Sequence, residues 1–233
     1  MVYMSATPER YQLSFTFGGL LIPETRAIAA AFRAHAGDWP VVRAAVVEEN
    51  LLAKTRSRTA RRYFNEIKMR LDRAYPWELD VIAGTGGTTS YAAGSIAATA
   101  TPLAGSSPAP SDADVPVALF ALFTRYYRLV GEFMTEVVRP RLYSGLPTVD
   151  AAMFRTFMGD RSPAHPELTA VTDATTGKLT EITFKAMREA GIISGRRGPF
   201  TATPPQLSPA LRERYCAHGA TADFTHLLWT DEE

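Results

Sequence analysis

The sequence predicts a mainly α protein: a helical bundle with an N-terminal helix-turn-helix-like unit and a C-terminal winged-helix-like unit that contains a small β-hairpin. Three observations predict it. Residues 57–73 repeat apolar side chains at helical spacing, and residues 115–138 present a broad apolar surface of the same period. Further on, a helical pattern runs directly into two short apolar segments separated by Ser194-Gly195-Arg196-Arg197-Gly198. The expected division is 1–82 for the first unit, 83–114 for a low-complexity insertion, 115–160 for the central bundle and 161–233 for the last unit.

Pro23 and Glu24 open the first helix, with Ala27, Ile28, Ala31 and Phe32 spaced for one buried face. Gly37-Asp38-Trp39-Pro40 closes it and starts the next. Glycine suits the C-cap, Asp38 the N-cap, and Pro40 a first turn that needs no N–H. The second helix covers about 40–52 and buries Val42, Ala45, Val46 and Leu52. Ser57 then caps a third helix reaching about Arg73. At about 100° per residue, Ala60, Tyr63, Phe64, Ile67 and Leu71 share one arc of this helix. Arg58, Arg61, Arg62, Asn65, Met69, Asp72 and Arg73 take the opposite arc.

Between residues 83 and 114 Gly, Ala, Ser, Thr and Pro dominate, with no charged side chain before Asp112. So little large apolar surface cannot offset chain entropy, and a long flexible loop is expected, with a weak helical pattern over 91–98. The central helix follows, bearing Leu119, Phe120, Phe123, Tyr126, Tyr127, Val130, Phe133, Met134 and Val137, until Pro140 and Gly145-Leu146-Pro147 break it. A shorter helix is expected over 149–158, and another after Thr175 or Thr176, stopped by Gly191. Ile192-Ile193 and Phe200-Thr201-Ala202 form the hairpin, and Ser208 caps a last helix over 209–218.

Hydrophobic residues at 46% and charged residues at 21% fit a globular chain and exclude wholesale disorder. Charge is unevenly spread: residues 1–75 hold twelve Lys/Arg against seven Asp/Glu, the remainder thirteen against seventeen. A local basic face on a nearly neutral chain suits a polyanionic partner, and many unrelated proteins besides. Cys216 is the only cysteine, which excludes a disulfide framework and a cysteine zinc site. The N-terminus lacks a signal-peptide pattern, and the most apolar stretch carries Arg125, Arg128, Glu132 and Glu136. A cytoplasmic protein with no membrane partner is the expectation.

Lys54-Thr55-Arg56-Ser57-Arg58-Thr59-Ala60-Arg61-Arg62 carries the strongest functional signal. Cations at a helix start oppose the macrodipole, where Asp or Glu would stabilise, so a phosphate partner explains them more easily. Ser57 and Thr59 add hydroxyls, and the preceding helix and turn give the recognition-helix arrangement of a helix-turn-helix. The competing reading is a solvated basic face paired with Glu48, Glu49 and Glu66. Arg196-Arg197 is either a wing touching phosphate or the minor groove, or an ordinary surface turn. Gly84-Thr85-Gly86-Gly87-Thr88-Thr89 lacks the Lys-Ser/Thr ending of a phosphate loop. His35, His165, His218 and His226 are scattered without metal-site spacing, and His165 reads as a capping or packing residue. No nucleophile elbow or carboxylate pair stands out, so no enzyme, cofactor or metal is expected.

The residues also resemble a family. Tyr11-Gln12-Leu13-Ser14-Phe15-Thr16-Phe17-Gly18-Gly19-Leu20-Leu21 with Pro23-Glu24, then Gly37-Asp38-Trp39 and Glu49-Asn50-Leu51-Leu52, are similar to the opening blocks of the BrxA family. Its basic helix is matched over 56–71 by Ser57, Arg61, Arg62, Glu66, Ile67, Arg70 and Leu71. Phe133 with Glu136-Val137-Val138-Arg139, His165-Pro166-Glu167-Leu168 and Arg188-Glu189-Ala190-Gly191-Ile192-Ile193 resemble its second half in order, with residues 84–110 as an insertion. The resemblance implies a compact accessory protein of the bacterial BREX phage-defence system, with a helical core likened to the NusB antitermination fold and a DNA-binding role. Together with the basic segment it yields an expected site: Arg58, Arg61 and Arg62 facing double-stranded DNA, Lys54, Arg56, Ser57 and Lys68 flanking, and Arg196 and Arg197 clamping. Docking on other BREX subunits through the aromatic-rich helical block or the insertion, and RNA binding, are the alternatives. Few aromatics interleave with the basic residues, which argues against single-strand stacking.

Overall fold

An extended N-terminal segment, twelve α-helices and a three-stranded antiparallel sheet make up the described part of the chain. The computed structural model describes residues 9–84 and 110–229. The first four helices are α1 (Ile22–Ala34), α2 (Trp39–Val47), α3 (Ser57–Leu71) and α4 (Pro76–Ala83). After a 3-10 turn at Asp112–Asp114 come α5 (Val115–Tyr126), α6 (Arg128–Phe133), a π-helical turn at Met134–Val138, and α7 (Arg139–Tyr143). The chain continues through β1 (Thr148–Val149), α8 (Ala151–Arg161), α9 (Pro166–Thr169), α10 (Asp173–Glu189), β2 (Ile193–Ser194) and β3 (Phe200–Ala202), ending in α11 (Pro209–Ala217) and α12 (Ala222–His226).

The mainly helical class with a small hairpin is the observed one. β2 and β3 pair antiparallel, Ile193 opposite Ala202. A third strand was not foreseen: β1 pairs with the other edge of β3, Thr148 opposite Thr201, giving the order β1-β3-β2. α5 occupies the centre, with every residue from Val117 to Thr124 buried, and it packs on α1, α3, α4, α6, α10 and α12. That explains why its sequence is apolar all round rather than on one stripe. Its flanking charges are paired. Arg125 bonds Glu78 at 2.9 Å and Asp223 at 2.6 Å, and Arg128 bonds Glu132 at 2.9 Å. No helix among the described residues is long and apolar enough to cross a membrane.

Several element ends differ from the sequence expectation. Ser57 does not cap α3: it is already helical, and extended Arg56 holds the cap position with no side-chain cap bond. α2 stops at Val47 rather than near Leu52, because Asn50 and Ala53 adopt left-handed backbone and Asn50 Oδ1 accepts from Lys54 N at 2.8 Å. The central helix is not continuous, breaking at Tyr127 (φ −97°, ψ 77°). Pro140 does not end it either. The π turn, closed by Arg139 N–H to Met134 O, precedes Pro140, which then sits in the first turn of α7 where no N–H is required. α8 begins after Asp150, which accepts from Ala152 N and Met153 N, because Thr148 and Val149 are in the sheet. α10 starts at Asp173, capped by Thr172 rather than preceded by Thr175 or Thr176. α4 and α12 were not anticipated. The expected insertion lies largely outside the described residues.

The N-terminal segment packs against α5, α6 and α9. Phe15 is fully buried against Phe123 and Tyr127. Tyr11 N donates to Glu167 at 2.6 Å, its ring lies 4.1 Å from that of His165, and its hydroxyl donates to Glu132. Burial and the Glu132 carboxylate push the Tyr11 hydroxyl up to about 12. His165, 5% exposed, is the packing residue expected.

Candidate nucleic-acid interface

α3 divides by angle as its periodicity dictates. Ala60, Phe64, Ile67 and Leu71 are buried at 3% exposure or less, and Tyr63 is half-buried. Arg58, Arg61, Arg62, Asn65, Met69, Asp72 and Arg73 are all exposed. The flank between the arcs holds what the wheel did not assign. Glu66 and Arg70 are buried, Arg70 Nη2 donating to Glu66 Oε1 at 3.1 Å and Nη1 to Gly19 O at 2.8 Å. Burial pulls the Arg70 guanidinium down from its ordinary value, and Glu66 opposes that shift.

The nine expected site residues fall into distinct groups. Arg56, Arg58 and Arg61 are exposed and have no ion pair among the described residues. Arg62 has none either: its Cζ lies 4.0 Å from the centroid of the Phe17 ring, and Nη2 is 3.4 Å from Thr16 Oγ1. Lys54 and Lys68 are partly neutralised. Lys54 bonds Glu24 at 2.7 Å while lying over Tyr63, and Lys68 bonds Asp72 at 2.5 Å while lying over Trp39. Ser57 is exposed and makes no cap bond. Arg196 and Arg197 belong to another element, the turn between β2 and β3, where both are exposed without an ion pair among the described residues. The turn ending at Leu20 links α3 to α10. Gly19 O takes the Arg70 bond, and Leu20 N donates to Glu189 Oε2 at 2.7 Å.

The pairing of the basic segment with Glu48, Glu49 and Glu66 is not what the structure contains. Glu66 is spent on Arg70, and Glu48 and Glu49 are exposed without an ion pair among the described residues. The start of α3 has neither a side-chain cap nor an acid in its first turn, as is also true of α5, α6 and α7, whereas α2, α8, α10 and α11 begin with side-chain caps; at α3 this leaves backbone N–H groups for an anion. Sequence reasoning missed the rings beneath the cations. Phe17 lies 45 positions before Arg62, so no local spacing could reveal it, whereas Tyr63 was legible as a core-edge residue.

These features define a mainly helical protein with a cationic, uncapped helix start and a basic hairpin turn. A model of the BrxA family matches residues 9–99 and 109–218, and the chain belongs to that family, whose members are BREX-associated accessory proteins. The two matched stretches leave residues 100–108 between them. A search of curated proteins returned no match. The fold is similar to the crystal structure of an uncharacterized protein from Magnetospirillum magneticum. Its TM-score is 0.71 at 18% identity, over 94% of this chain and 98% of that one.

Proposed function

We propose that this chain is a non-enzymatic accessory protein of phage defence that binds double-stranded DNA, chiefly through phosphates. Arg58, Arg61 and Arg62 face the duplex, with Arg56 and Ser57 beside them. The β2–β3 turn, read as the wing of the winged-helix-like unit expected over 161–233, adds Arg196 and Arg197. The observation that carries the reading is the cluster of exposed, unpaired arginines at the uncapped start of α3. Backbone N–H groups there are available to phosphate oxygens, and arginine presents a planar fork of donors to the same oxygens. Docking through the aromatic block has no comparable support, since Phe120, Phe123, Tyr127 and Phe133 are fully buried.

A salt titration of fluorescent duplex tests this. Six unpaired arginines, each neutralising about one phosphate, give a log affinity against log salt slope of about −5. Arg58→Ala, Arg61→Ala and Arg62→Ala together should flatten it to about −3 and weaken binding to all duplex sequences alike. A folded triple variant that binds like the parent refutes the assigned face. Stronger competition by structured RNA than by duplex DNA points to the RNA reading instead. Capture of protein partners that persists at high salt without DNA points to an adaptor.

A further inference from the structure

Resting on the duplex-binding reading, we propose that Phe17 is a positioning residue for Arg62. Its ring, rather than a carboxylate, fixes the guanidinium. The Arg62 Cζ lies over that ring at 4.0 Å. Phe17 is itself held in place: its ring is 5.3 Å from that of Tyr63, buried Phe15 precedes it, and Leu20 N is anchored on Glu189 at 2.7 Å. Some arginines are held by carboxylates, as Arg26 is by Asp112 and Arg33 by Asp80, whereas Arg139 over Tyr143 and Arg188 over Phe200 lie, like Arg62, against a ring with no ion pair among the described residues. A carboxylate would orient Arg62 equally well, but it would cancel the charge and repel phosphate. A ring face attracts the cation through its quadrupole and carries no net charge, and apart from the long Nη2 bond to Thr16 Oγ1 at 3.4 Å the N–H donors are left to a ligand. Arg62 is thereby ordered in advance without losing its attraction for a polyanion.

Phe17→Leu, Phe17→Tyr, Arg62→Ala and the Phe17→Leu/Arg62→Ala double variant are compared with the parent by anisotropy on a fluorescent duplex between 50 and 200 mM salt. Thermal melting of each variant runs alongside. Arg62→Ala should weaken binding roughly three- to tenfold and lower the salt slope by about 0.9. Phe17→Leu should reproduce most of that loss, add nothing in the Arg62→Ala background, and be rescued by Phe17→Tyr. Phe17→Leu binding like the parent, while Arg62→Ala is weakened, overturns the positioning role and leaves the duplex reading intact. An equal loss from Phe17→Leu in both backgrounds overturns it as well, because the ring then acts on the fold and not through Arg62. Arg62→Ala binding like the parent removes Arg62 from the interface and the proposal with it.

Discussion

Replacing Arg70 by methionine isolates the buried half of α3 from its exposed half. The Arg70 and Glu66 side chains are 4% and 7% exposed, so the pair is shielded from solvent. Arg70 also donates to Gly19 O at 2.8 Å, approaches Tyr127 Oη at 3.4 Å and lies over the Phe123 and Tyr127 rings. Arg70→Met therefore strands the Glu66 carboxylate and the Gly19 carbonyl away from water. Removing one partner of a buried pair costs about 3–5 kcal/mol. At about 2–4 °C per kcal/mol for a chain of this size, the melting temperature should fall by roughly 6–20 °C. Glu66→Leu/Arg70→Met, which removes both charges and keeps the volume, should recover most of the loss, because buried ion pairs contribute little beyond an apolar replacement. Thermal and urea unfolding measure both variants, with the midpoint and the m-value fitted separately. A double variant as unstable as the sum of the two single ones would show that Arg70 acts through its other contacts and that stranding of Glu66 is not the cause.

The remaining predictions concern pH and the start of α3. Burial lowers the His226 imidazole below its ordinary 6.5, with Asp223 opposing and Arg125 adding to the shift. A depressed folded value means that stability is full above 6.5 and is lost as pH falls through the folded value. The melting temperature should drop between pH 7.5 and 5, and His226→Gln should flatten that part of the profile. Arg56 already has the extended backbone of a cap residue, at φ −129° and ψ 130°. Arg56→Asp should thus stabilise α3 by about 0.5–2 kcal/mol while weakening duplex binding. A variant with parental affinity would remove Arg56 from the interface.

What the sequence made legible is what depends on neighbours in the chain. The buried arc of α3 follows from spacing alone, as do the Asp38 cap of α2 and the Ser208 cap of α11. Exposure of Arg58, Arg61 and Arg62 follows from the same arc. Illegible features need partners distant in sequence. The ends of the central helix turn on a π turn that lets Pro140 enter a fresh first turn, and proline alone signals only a stop. β1 has two residues, too few for a periodic pattern, and exists because β3 offers a second edge. Lys54 reads as a flanking DNA contact until Glu24, 30 positions earlier, is placed beside it. Glu66 and Arg70 sit on the flank of the wheel, where angle decides nothing and the approach of Gly19 decides burial.

The two ends of α3 are under opposite demands. At its C-terminal end Lys68 and Arg70 complement the helix dipole and have partners in the fold. At its N-terminal end the arginines oppose the dipole, at about 0.3–1 kcal/mol each, and the absent cap forgoes about 1 kcal/mol more. The helix sustains this because Phe64, Ile67 and Leu71 are buried on the other face, each worth about 1.5–3 kcal/mol. Core burial therefore makes the cationic start tolerable. On the duplex-binding proposal, a polyanion meeting bare N–H groups and unpaired guanidinium groups adds a further compensation of the right sign.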